Sequence, residues 1–169
     1  AVLYRTNAQS RTVEEALLKS NIPYTMVGGT KFYSRKEIRD VISYLNLIAN
    51  PSDNISYERV VNEPKRGVGP GTVEKIRAFA SSQEISLLDA SANILLSVYD
   101  FANMLLDLRE RLDDYTVTEL VEAVLEKTGY AAVLAAQATL ESQARIENIE
   151  EFLSVTKNFD ETPDNPADE

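Results

Sequence analysis

The run Pro64-Lys65-Arg66-Gly67-Val68-Gly69-Pro70-Gly71-Thr72-Val73-Glu74-Lys75 constrains the fold of this chain more than any other stretch. Two glycines flank one apolar residue, which permits a sharp backbone turn. Pro70 then suits the first position of a helix, where its missing N–H costs nothing, and Val73, Ile76, Phe79 and Ala80 follow at helical spacing. The unpaired amides of that helix start would face outward beside Lys65 and Arg66, a ready phosphate site. This is the logic of a helix-hairpin-helix element, which grips a DNA backbone without reading bases. The same residues also describe a tight turn between two packed helices with two solvated cations.

The chain has neither cysteine nor histidine, so disulfides, thiolate metal sites and imidazole acid–base chemistry are excluded. Its 169 residues suit one domain, or one domain plus a piece of another. No long apolar run or basic-then-apolar leader occurs, which leads to the expectation of a cytoplasmic protein without a membrane span. A start at Ala1 in strand-like AVLYR, without methionine, reads as a fragment. The net charge of −10 argues at first against nucleic acid, but the charge is unevenly spread. Residues 1–80 carry 12 Lys/Arg against 8 Asp/Glu, a net of +4, and residues 81–169 carry 5 against 19, a net of −14. One face can then bind phosphates while another repels them.

Along the chain, Ala1–Arg5 reads as a short strand. A helix capped by Asn7 or Ser10 runs to about Ser20, with Val13, Ala16 and Leu17 inward and Glu14 and Glu15 outward. Tyr24–Val27 reads as a second strand ended by Gly28-Gly29, which makes a small N-terminal βαβ piece. From Ser34 the pattern is helical. Ser34 and Glu37 form a capping box before Ile38, Val41, Ile42, Leu45 and Ile48, and Asn50-Pro51 stops that helix. Further helices are expected at 56–62, 70–82, 86–96 and 98–112. Another opens at a Thr116–Glu119 capping box and ends at Gly129, followed by helices at 130–137 and 140–159. The acidic, proline-containing tail 160–169 reads as disordered. The expected fold is mainly α.

Three other stretches carry possible chemistry. Tyr4-Arg5-Thr6-Asn7-Ala8-Gln9-Ser10-Arg11 lies at a strand–helix junction, where Arg5 and Asn7 could hold an anionic ligand or serve only as ion pair and cap. In Gly28-Gly29-Thr30-Lys31-Phe32-Tyr33-Ser34-Arg35-Lys36, the glycines suggest a hinge, and Lys31, Arg35, Lys36 and Arg39 make a basic helix start. Phe32 and Tyr33 could stack on bases, though core packing is the commoner use of aromatics there. Glu141–Phe152 is an amphipathic packing helix. The paired acids Asp113 and Asp114 read as solvated.

Together and in this order, these stretches resemble the UvrD/PcrA/Rep family of superfamily-1 DNA helicases, most closely its Gram-positive branch, over essentially the whole chain. The resemblance implies a fragment of an ATP-driven DNA helicase. Residues 1–29 would belong to the second RecA-like motor domain (2A), 30–139 to its inserted helical 2B subdomain, and 140–159 to a helix returning to 2A. It implies that Arg5 and Asn7 lie along a single-stranded DNA track and that the 65–71 hairpin with Thr72 meets duplex DNA. Gly28 and Gly29 would lie near the junction about which 2B swivels.

The phosphate loop GxxxxGK[ST], a Walker B acid pair and an arginine finger are all absent from the sequence. The expectation is therefore no ATP hydrolysis by this chain alone, with ATP and Mg2+ serving the parent enzyme. Lys65, Arg66, the amides of Gly67, Gly69 and Gly71, and Thr72 and Lys75 are the expected duplex contacts. They would engage roughly three or four phosphates without sequence preference. The chain is expected to be monomeric, with repair or replication proteins as further partners. The competing reading is a protein-docking module that uses the acidic second half.

Overall fold

The computed structural model describes residues 2–27, 29–94 and 97–162. Its helices are α1 (Ser10–Lys19), α2 (Lys36–Ala49), α3 (Asn54–Val60), α4 (Pro70–Gln83), α5 (Leu87–Asn93), α6 (Tyr99–Glu110), α7 (Val117–Thr128), α8 (Tyr130–Gln137) and α9 (Leu140–Asp160). Short 3-10 turns lie at Phe32–Ser34 and Leu112–Asp114. No β-strand occurs among the described residues. No helix there is long and apolar enough to cross a membrane. The chain packs as two compact units, Ala1–Arg39 with Ala131–Glu169, and Asp40–Tyr130.

Local chemistry sets most helix ends. Thr116 and Glu119 close a reciprocal capping box before α7, and Gly129, at φ 70°, ends it in the left-handed conformation that glycine adopts without penalty. Thr139 and Ser142 form a second box before α9, which a search for Glu or Gln at the third position misses. Asp53 caps α3 by accepting from the Ser56 amide at 3.0 Å. Its side-chain and backbone hydrogen bonds with Ser56 hold the Asp53 carboxyl below the usual carboxylate range. The cap is therefore present at neutral pH and is lost as acid protonates Asp53. Ser34 stands two residues ahead of the first residue of α2, and the Glu37 carboxylate accepts from Asn148.

In the unit Asp40–Tyr130, α5 is the hub, packing against α3, α4 and α6. Its fully buried Ala90 and Ser91 let neighbouring backbones approach closely. The Ser91 hydroxyl donates to Leu87 O at 2.8 Å and shares a 2.5 Å hydrogen bond with the Tyr57 hydroxyl. Tyr57 and Tyr44 both meet the ring of Phe101 edge-on, with centroids 6.3 and 6.2 Å away. Leu47, Ile48, Ile76, Leu88, Leu105, Val121 and Val124 fill the space around them.

The N-terminal βαβ expectation is corrected by the other unit. Segments 2–6 and 23–27 form no ladder, and Leu3 and Val27 are 94% and 92% exposed. A strand exists only through a partner backbone, and these two segments do not pair with each other. They line an open groove of about 620 Å³ with α1, where Val2, Leu3, Tyr4, Val13, Leu17 and Met26 present apolar surface. Glu14 is the second correction. Expected outward, it is 7% exposed and accepts from the Phe32 amide (3.2 Å to each oxygen), the Ser10 hydroxyl (2.7 Å) and the Tyr24 hydroxyl (3.3 Å). Of the expected disordered tail, Asp160 closes α9 and 163–169 lie outside the described residues.

Glu14→Ala leaves the buried Phe32 amide without its acceptor and should cost about 3 kcal/mol in urea denaturation. Thr116→Ala, which removes only a surface cap, should cost about 1 kcal/mol by the same measurement.

Candidate nucleic-acid interface

The hairpin between α3 and α4 divides its residues by direction. Val68 is buried and anchors the turn, whereas Lys65, Gly67 and Gly71 are exposed and Gly69 and Thr72 half-buried. Gly67 adopts φ 76°, which only glycine takes without strain, and an added Cβ would meet nothing within 4 Å there. Gly69 and Gly71 have ordinary φ, and an added Cβ would likewise meet open space. Gly69 is the N-cap of α4 and Pro70 its first helical residue. The Thr72 and Val73 amides turn back to Gly69 O at 3.0 and 3.2 Å. Among the described residues the amides of Gly67, Gly69 and Gly71 have no hydrogen-bond partner. Three unpartnered backbone donors, at and just ahead of the positive end of a fourteen-residue helix, suit an anion.

The cations behave differently from one another. Lys65 and Lys75 are exposed, and neither ammonium is paired with a carboxylate among the described residues. Arg66 turns inward. Its Nη1 donates to Val60 O and Val61 O at 2.8 and 3.0 Å, its Nη2 to the Tyr44 hydroxyl at 3.1 Å, and its guanidinium lies 4.5 Å over the Phe101 ring. Arg77 is held by Glu58 through Nη2 at 2.5 Å and Nε at 3.1 Å. Burial pushes the Tyr44 hydroxyl above its ordinary range, so it stays protonated and donates to Glu63 O.

The other predicted site residues lie in the unit Ala1–Arg39 with Ala131–Glu169. Arg5 and Asn7 are exposed, and their turn is tied by Gln9, whose side-chain oxygen accepts from the Arg5 and Thr6 amides at 3.0 and 3.3 Å. An added Cβ at Gly29 would stand 4.0 Å from Asn7 Oδ1, so these two positions adjoin. Gly28 lies outside the described residues. Arg35, expected in a basic face, is 6% exposed and donates to Asn148 Oδ1 (2.8 Å) and Ser10 Oγ (2.7 Å). Burial pulls its guanidinium below the ordinary value, against the charges of Glu14 and Glu37. Phe32 is core, and Tyr33 is exposed with its hydroxyl on Glu15 at 3.0 Å.

Sequence reasoning missed Asn62. Its Oδ1 accepts from the Arg66 amide at 3.0 Å and the Val68 amide at 3.2 Å, bracketing Gly67. The available signal was an Asn just ahead of a glycine turn, a residue type that bonds local backbone.

A chain with this helical architecture and hairpin belongs to the UvrD-like helicase C-terminal domain family, which it matches over residues 1–169. It is 49% identical over 178 residues to the ATP-dependent DNA helicase PcrA of Leuconostoc citreum, covering 98% of this chain and 24% of that protein. It is 48% identical over 170 residues to the PcrA of Bacillus subtilis (95% and 23%), and 47% identical over 173 residues to that of Staphylococcus epidermidis (95% and 23%). The chain thus spans about a quarter of the length of these relatives.

Gly67→Ala should cost about 1–2 kcal/mol in urea denaturation, because an alanine strains at positive φ. Gly71→Ala, in an ordinary helical conformation with open space, should leave stability within about 1 kcal/mol of wild type or raise it.

Proposed function

We propose that this chain is a DNA-contacting and regulatory part of an ATP-dependent 3′-to-5′ DNA helicase, holding duplex backbone through the 65–75 hairpin. The observation that carries this reading is the trio of unpartnered glycine amides at and just ahead of the start of α4, beside exposed Lys65. Phosphate oxygens accept from such amides, and Lys65, Thr72 and Lys75 add contacts at the margin. No base edge is addressed, so binding is indifferent to sequence. Arg66 leaves the set of direct contacts, since its donors serve carbonyls and a tyrosine.

The names of the relatives support DNA as the partner and ATP hydrolysis as the parent's activity. Under this reading residues 30–139 form the inserted 2B subdomain, which includes the compact unit Asp40–Tyr130. Arg5 and Asn7 follow the single strand, and the Gly28-Gly29 pair serves as the swivel. ATP and Mg2+ belong elsewhere in the parent. The hairpin does not fit a nucleoside triphosphate, because Pro70 removes an amide and Arg66 and Val68 fill its interior. No cluster of His, Cys, Asp or Glu able to hold a metal occurs among the described residues.

The test is fluorescence anisotropy of a duplex with a single-stranded tail, titrated with the chain across a salt series. With Lys65 and Lys75 as the cations engaged, the log–log salt slope should be about −2, and Lys65→Ala or Lys75→Ala should each reduce it by about one. Binding unchanged by both substitutions, or no binding at low salt, overturns the hairpin reading and favours docking of a basic protein on the acidic helices.

A further inference from the structure

Resting on the hairpin as the phosphate site, we infer that Asn62 and Arg66 are positioning residues that hold it in its binding-competent shape without touching DNA. The argument begins with the loop's own energetics. Residues 61–69 join two helices with no regular backbone pairing, and Gly67 has the widest conformational choice of any residue type. A loop of this kind samples many shapes unless something outside its backbone selects one. Binding to a site populated only part of the time is weakened by that fraction.

Two side chains make the selection. The Asn62 carbonyl oxygen collects the amides of Arg66 and Val68, one on each side of Gly67, and so fixes the tight arc that exposes the Gly67 amide. Arg66 fixes where that arc sits. Its guanidinium takes two carbonyls at the end of α3, one hydroxyl from α2 and one ring face from α6. A planar fork with several fixed donors can satisfy all four partners at once, and an ammonium cannot. With the Asn62 oxygen on the loop's own amides, the Arg66 guanidinium on α2, α3 and α6, and Val68 buried, exposed Lys65 and the unpartnered glycine amides are the groups left for a ligand. The cation adjacent to the exposed lysine thus acts through geometry rather than charge.

The test measures duplex affinity and salt slope for Asn62→Ala and Arg66→Lys beside Lys65→Ala, at a temperature where circular dichroism shows each variant folded. Loss of the clamp should weaken binding about tenfold with the slope unchanged, because the same phosphates are still neutralised. Arg66→Lys keeps the charge and should still lose affinity, and Asn62→Ala, which alters no charge, should lose it similarly. Arg66→Ala, measured in the same series, should leave the slope unchanged. Near-wild-type affinity for Arg66→Lys or for Asn62→Ala overturns the inference, as does a slope reduced by about one in Arg66→Ala, the mark of direct contact. If Lys65→Ala also has no effect, the failure belongs to the phosphate-site reading, so the two outcomes are distinguishable. Should Arg66 variants fail to fold, Asn62→Ala decides alone.

Discussion

Every helix ends in carbonyls that have no partner within the helix, and a compact helical body must supply donors wherever those ends are covered. Two arginines meet that demand in the unit Asp40–Tyr130. Arg109 donates through Nη1 to Ile48 O at 2.7 Å and Ala49 O at 2.5 Å, closing α2. Arg66 does the same for α3 and adds a tyrosine hydroxyl and the Phe101 face. On the inference drawn above, the hairpin's shape depends on the second of these, whose guanidinium is committed inward.

The same economy holds several arginines of residues 1–80 in internal pairs. Arg11 is spent on Glu15 and Glu151 at 2.8 and 2.6 Å, Arg35 on Ser10 and Asn148, Arg59 on the buried Asp40 at 2.8 Å, and Arg77 on Glu58. Asp40 in turn accepts from the Tyr130 hydroxyl at 2.7 Å. Arginine's fixed, delocalised fork suits such internal roles, whereas the flexible, strongly hydrated lysine stays in solvent. What remains for a polyanion beside the hairpin is two lysines and the start of α4.

Much of the helical pattern was legible in the sequence because it is written in local chemistry. The Thr116–Glu119 box, Gly129, Pro70 at the start of α4 and the breaks at Asn50-Pro51 each act through neighbours within a few residues. Side-chain direction was less legible. Glu14 reads as an outward helix residue until the Phe32 amide, eighteen positions on, is seen to need an acceptor. Arg66 reads as a phosphate ligand until the ends of α3 and the face of Phe101 are in view. The strand reading of Ala1–Arg5 and Tyr24–Val27 failed over its described residues for a related reason, since a strand's stability lies in a partner backbone that its own residues do not specify.

The most direct measurement of the central claim is an amide NMR titration of the 15N-labelled chain with a short duplex. The account predicts that the Gly67, Gly69, Gly71 and Thr72 resonances move together, saturate with duplex and return as salt is raised. Shifts confined to the acidic helices α6 and α7, or none in the hairpin at saturating duplex, would contradict it.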